Sequence, residues 1–329
     1  MEPPNQVARF DPKQQPDARR DSPRERSLTL EPPQWVWDLI GEHALPEDAP
    51  LTLGRGALRL VSARIRDARG MSASDLRRAT SASYGALRRT ISRERARFPV
   101  RFWNMLPHIQ EPMGAGLDRY MAFNLGRHDA FSDWAGGADE LAGVVPTATG
   151  VGHHADDLLV YALCAEHPAE PVENPRQRPA WRYSERFGPA PPCFARAGRL
   201  EIAGGLVALF VGGTASVRGE DSFAPDDLQE QIAETFRNLD AVIGAGLGGD
   251  ADWLTDGRAY VLAPGDVEEV RRAMTARMPS LERLELCPAD ICRPELRVEI
   301  EGLVVARRGD GGRLLREANG IAALRAALG

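Results

Sequence analysis

The sequence is poor in the features that would tie it to an oxidising compartment, a membrane or a polyanion. Its 329 residues include four cysteines, Cys164, Cys193, Cys287 and Cys292, and none belongs to a CxxC pair, which speaks against a disulfide framework. With no signal peptide ahead of them, these thiols read as free in a cytoplasmic protein. The longest uncharged run, Ile202 to Val217, falls short of the roughly 20 apolar residues that a spanning helix needs and reads as buried strands. Forty-one basic against forty-seven acidic side chains leave a net charge of −6, which gives no general attraction to nucleic acid or to anionic lipid. The glycine clusters Gly212-Gly213-Thr214 and Gly244 to Gly249 lack the Lys-Ser/Thr of a phosphate loop and the dinucleotide fingerprint. No GxSxG is present, and Cys292 has no His near it in sequence, so nucleophilic catalysis finds little support.

What remains is an ordinary globular composition, 43% hydrophobic and 27% charged, in a chain long enough for two cores. Residues 1–33 are rich in proline and charge and read as a loose tail. In the second half, Leu200 to Ile202 and Leu206 to Val211 form two expected strands around Ala203-Gly204-Gly205. A helix begins at Asp226 with Leu228, Ile232, Phe236, Leu239 and Ile243 at helical spacing and is expected to end at Gly244 or Gly246. A strand at Ala259 to Leu262, a helix from Asp266, a strand at Leu284 to Leu286 and a final strand from Leu296 to Ala306 follow. The first half shows a similar order: a strand at Leu58 to Ile65, a helix at Ala73 to Ile91, a strand at Val100 to Met105, a helix around Tyr120 to Trp134, and strands near Val144 and at Leu158 to Leu163. The expected class is α+β, with the halves as two copies of one unit. The division is 34–167 and 193–329, joined by a proline-rich connector at 168–192.

Three segments carry chemistry-bearing side chains. In the last strand Leu296, Val298 and Ile300 alternate with Arg297, Glu299 and Glu301. A solvated strand face is the plain reading, but the strand continues as Gly302-Leu-Val-Val-Ala306, which suggests a covered strand on which a carboxyl would be held protonated and could donate that proton. Trp181 to Pro189 and Cys193 to Ala197 combine guanidinium groups with aromatics, which suits a small cyclic acid as well as plain inter-domain packing. Leu117 to His128 is similarly polar beside aromatics. His153-His154 lacks any accompanying ligand cluster, so no metal is expected.

Phe98 to Pro107, Gly116 to Tyr120, Phe123 to Arg127, Pro146 to Gly152, Asn174 to Gln177, Tyr183 to Arg196, Gly213 to Ser216 and Asp290 to Glu301 together resemble the chorismatase family over about residues 50–307. The last half is also similar to the YjgF/RidA family. The resemblance implies two YjgF/RidA (chorismate mutase-like) units in tandem, mixed sheets packed on helices. It also implies cleavage of the enolpyruvyl ether of chorismate, without metal or organic cofactor, to 3-hydroxybenzoate and pyruvate in secondary metabolism. By family position Glu299 is the catalytic acid/base, and Tyr120, Arg127, Tyr183 and Arg196 bind substrate. Gly213 and Cys292 mark the branch that makes 3-hydroxybenzoate, with Gly213 leaving room beside the ring and Cys292 near the ring hydroxyl. Gly212 stands where the family more often shows Ser. A hydrolase making a cyclohexadiene diol, a RidA-like imine hydrolase and a silent ligand binder stay open as alternatives, as do a monomer and a trimer.

Overall fold

The computed structural model describes residues 31–54 and 56–329; most of the expected N-terminal tail lies outside them. The first sheet is built from β1 (Leu51–Leu53), β2 (Leu58–Ile65), β3 (Phe98–Pro107), β4 (Thr147–His153) and β5 (Leu158–Ala165) in the order β1-β2-β5-β3-β4. The second holds β6 (Glu170–Val172), β7 (Ala197–Ile202), β8 (Leu206–Ala215), β9 (Asp256–Val261), β10 (Arg283–Pro288) and β11 (Val298–Arg308) in the order β10-β9-β11-β8-β7-β6, with β12 (Leu314–Arg316) added beside β11.

The two sheets repeat one wiring. In the first, β2 runs antiparallel to β5, β5 antiparallel to β3, and β3 parallel to β4. In the second, β8, β11, β9 and β10 take the same four places with the same directions. Two helices occupy equivalent positions in each copy: α2 (Ala73–Ile91) and α3 (Arg119–Ala135), then α4 (Leu228–Leu247) and α5 (Val267–Arg277). The expected α+β class and the duplicated unit are therefore present in the topology.

Local chemistry sets the helix ends. Ser72, Asp118 and Asp227 each accept a backbone N–H from the first turn of α2, α3 and α4, satisfying donors that the helix itself leaves unpaired. Helix α4 runs past the expected stop and closes at Gly248 in the left-handed region, φ 79°. Gly246 is a contact point instead: a Cβ there would lie 2.8 Å from Leu209 Cδ1. The strand expected near Val144 begins only at Thr147, after Pro146, because residues 138–143 coil into 3-10 turns. The last strand starts at Val298 rather than Leu296, since the Arg297 N–H donates to the Gln231 side chain instead of a neighbouring strand.

The sheets face each other, with helices outside. Val298, Ile300, Val304 and Ala306 of β11 pack with apolar side chains of α4 and α5, while Leu303 and Val305 on its other face join Trp103, Tyr161, Leu206 and Phe210 between the sheets. Strand β11 is thus buried on both faces from Val298 to Ala306, and the solvated-face reading of its carboxylates fails. A first helix, α1 (Gln34–Ile40), seals this inner core through Trp35, which lies 5.8 Å from Trp103 and 6.0 Å from Phe210 between ring centroids. The last residues of the expected tail are also tied down: Arg258 donates to the carbonyls of Glu31 and Pro32. Phe210→Ala is expected to lower the unfolding free energy by about 3–5 kcal/mol, read from denaturant midpoints at constant slope.

Candidate active site

All seven residues singled out from the sequence, Tyr120, Arg127, Tyr183, Arg196, Gly213, Cys292 and Glu299, line one cleft of about 1090 Å³ including its open mouth. Both copies and the connector contribute. Tyr120 and Arg127 are two turns apart on α3, and their spacing puts both on one helix face. Gly213 lies on β8, Glu299 on β11, Cys292 in the loop before β11, Arg196 just ahead of β7, and Tyr183 in the connector.

The cations are buried and partly unpaired. Arg127 is 2% exposed and sits among the rings of Phe131, Tyr84 and Phe102, 5.2 to 5.9 Å from their centroids. Its Nε and Nη2 find no hydrogen-bond acceptor among the described residues. A buried guanidinium so placed is open to an anionic ligand. Arg196 donates to the Tyr183 hydroxyl at 2.6 Å and to the Arg178 carbonyl at 3.1 Å, while its Nε finds no acceptor among the described residues. Arg293, not anticipated as a site residue, stacks 4.0 Å from the Phe187 centroid at the same cleft and donates to the Glu220 carbonyl.

Two carboxyls on one face of β11 have opposite surroundings. Glu301 accepts from Arg101, from Trp103 Nε1 at 3.1 Å, from Thr149 Oγ1 at 2.5 Å and from the Tyr260 hydroxyl at 2.9 Å. Glu299, one pleat nearer the cleft, receives no hydrogen bond from a described residue. Burial, then the Glu301 charge, push its carboxyl up to about 8, against the opposing pull of Arg101 and Arg196. Glu299 therefore holds its proton at neutral pH. Burial and the nearness of Glu299 also push the Cys292 thiol up to about 12, so it faces the cleft as a neutral S–H. Burial raises the Tyr120 phenol in the same way.

The backbone makes room for this acid. Between Val211 and Thr214 the β8–β11 ladder is bulged, so that Gly212 and Gly213 together face the single residue Glu301. A Cβ on Gly213 would fall 1.8 Å from Glu299 Oε1. The place a side chain would take at this position is occupied by the Glu299 carboxyl. The Gly213 N–H donates to Thr149 Oγ1 at 3.1 Å, which ties the bulge to β4 of the other copy. Thr149, Asn104 and Arg293 also line the cleft. The histidine pair has no metal-binding company: His153 is buried with Nε2 3.2 Å from the Met105 carbonyl, and the described residues contain no His/Cys/Asp/Glu group suited to a metal. No helix among them is long and apolar enough to cross a membrane.

Residues 51–164 match the family model "Chorismatase FkbO/Hyg5-like, N-terminal". A 3-hydroxybenzoate synthase of Streptomyces hygroscopicus is 33% identical over 219 residues, covering 62% of this chain and 63% of that protein. A chorismatase of Streptomyces rapamycinicus is 34% identical over 218 residues, with the same coverage of 62% and 63%. The chain thus aligns with less than two thirds of the length of these curated relatives. A crystal structure of a chorismatase superposes with a TM-score of 0.70 at 28% identity, covering 79% of this chain and 78% of the other. Residues 51–164 thus match a chorismatase N-terminal unit, and the chain is similar in sequence and in fold to these chorismatases.

Proposed function

We propose that the protein is an enzyme that cleaves chorismate to 3-hydroxybenzoate and pyruvate. The observation that carries the reading is a buried carboxyl, Glu299, that receives no hydrogen bond from a described residue and whose burial favours the protonated form, in a cleft furnished with partly unpaired arginines. An enol ether leaves readily only once its methylene carbon is protonated, and a ring acid with two carboxylates demands cations. Glu299 gives its proton to the methylene carbon. The bond between the ring and the ether oxygen then breaks, with its electron pair leaving on pyruvate. The neighbouring ring hydroxyl oxygen bonds to the vacated carbon and sheds its proton, closing an epoxide; its bond to its original carbon then breaks, the vacated carbon loses its hydrogen as a proton to restore aromaticity, the oxygen takes up one proton as the phenol, and the other returns to Glu299. Substrate and products balance without water. Arg127 and Arg196 hold the carboxylates, and Tyr120 and Tyr183 wall the ring. Residues 34–167 and 193–329 act as the two units, with 168–192 as the connector that brings Tyr183 to the site. The likeness to the 3-hydroxybenzoate synthase of Streptomyces hygroscopicus supports the aromatic product, and a cytoplasmic role in secondary metabolism goes with it.

Incubation with chorismate, followed by chromatography against 3- and 4-hydroxybenzoate and an assay for pyruvate, tests the reading. Equal yields of pyruvate and 3-hydroxybenzoate are expected. Tight binding without pyruvate release would sink it in favour of a ligand-binding protein, and a diol carrying oxygen from isotopically labelled water would favour the hydrolase. Cys292→Ala should retain pyruvate release while moving product from the aromatic acid towards the diol; an unchanged aromatic yield would remove Cys292 from product control.

A further inference from the structure

The groups beneath Glu299 form a charged network that the reaction as described does not use. Arg101 lies on β3, 1% exposed, inside the nearly unbroken apolar run of that strand. It is ion-paired with Glu301 and donates to Thr149 Oγ1 at 2.5 Å. One of its terminal nitrogens, Nη1, has no acceptor among the described residues. Thr149 is the link to the acid above: its hydroxyl bonds Arg101, Glu301 and the N–H of Gly213. A Cβ placed on Gly213 would sit against both that hydroxyl, at 3.2 Å, and the Glu299 carboxyl. A buried ion pair with a spare N–H under an acid that must lose its proton is costly for stability alone.

We infer that Arg101 and Glu301 are positioning residues that act as a shared counter-charge for Glu299. Glu301 occupies the guanidinium while Glu299 keeps its proton. Once the proton has passed to substrate, Arg101 faces the new carboxylate and steadies it until the proton returns. This deepens the proposed reaction and rests on it. The charged and titratable groups around Glu299 are Glu301 on its own strand, Arg101 from β3, Arg196 ahead of β7, Cys292 from the preceding loop and Tyr120 from α3, with Tyr260 opposite it on β9.

The two charges pull Glu299 in opposite directions, so substitutions should separate them. In Glu301→Gln the unopposed Arg101 favours ionised Glu299, and the alkaline limb of kcat/KM should move down by about one pH unit or more. In Arg101→Gln the limb should move up by a similar amount. Arg101→Lys, which keeps the charge, should leave the limb near its parent position, as should Tyr260→Phe, which removes only a neutral donor from Glu301. Infrared titration of the carboxyl band lost in Glu299→Gln reads the same shifts in the full chain without turnover, so the inference can fail while the chorismate reading stands, or survive if the substrate is different. Uniform loss of activity with a fixed limb and a fixed infrared titration in both charge variants would overturn it. A shift in Tyr260→Phe or Arg101→Lys as large as in the charge-removing variants would do the same.

Discussion

Glu299→Gln is expected to abolish pyruvate release from chorismate, with kcat falling on the order of 10³-fold or more, because no neighbouring group can supply the proton in its place. The Cys292 thiol is pushed up to about 12 and the Tyr120 phenol is raised as well, so both are weaker donors, and the other lining carboxyls are engaged elsewhere, Asp118 accepting the Met121 N–H and Glu295 the Ser222 hydroxyl. The same variant should be more stable than the parent in alkali. The folded-state carboxyl is raised from 4.5 to about 8, so the folded chain binds this proton more tightly than the unfolded chain. That stabilising contribution is full below the unfolded value and is lost as pH rises through about 8. A neutral amide removes the loss, and thermal melts above pH 8 should show the variant stabler by a few kcal/mol or somewhat less. An inactive but alkali-stabilised variant is the combination expected of an acid kept for chemistry at the expense of stability. Substantial residual turnover would remove Glu299 from the chemical step.

The second large effect is expected from the smallest change. Gly213→Ala adds one methyl group, but its Cβ falls 1.8 Å from Oε1 and 2.7 Å from Cδ of Glu299, so the carboxyl must swing away or the bulge must open. Either movement displaces the proton from its line to substrate, and displacements of about 1 Å at a reacting group cost on the order of 100-fold. The loss should appear in kcat more than in KM, since Arg127 and Arg196 stand on other elements and keep their grip. A crystal structure should show a rotated Glu299 with an otherwise unaltered cleft. An alanine variant with parental kcat would mean that the carboxyl has room the present arrangement does not show.

Much of this site could be read from the sequence, for definite reasons. Helical spacing put Tyr120 and Arg127 on one face, and strand alternation paired Glu299 with Glu301. Motif resemblance marked seven residues, and the cleft gathers every one. Alternation could not say which of the two carboxyls would be free, because their difference lies in donors from distant strands: Arg101 and Glu301 are 200 residues apart in sequence. One clue was legible, a lone arginine in the apolar run Val100 to Met105, which can be buried cheaply only against an opposite charge. The bulge at Gly212-Gly213 escaped notice because two glycines in a strand look like flexibility until the register of the partner strand is known. The misplaced strand near Val144 had a similar origin: an apolar pair suggested a strand, but Val144 is 39% exposed and the ladder starts beyond Pro146.

The repeated wiring carries a consequence of its own. The place that β11 fills in the second sheet is filled in the first by β5, whose sequence, Leu158-Leu-Val-Tyr-Ala-Leu-Cys-Ala165, has no acidic residue. If an ancestral half-length chain once paired with a twin of itself, each half would have carried its own proton donor. In the present chain the copies have diverged at that place: on the proposed reading the second half carries the donor, Tyr120 and Arg127 come from the first, and one shared cleft stands where a pair of twins would have formed two.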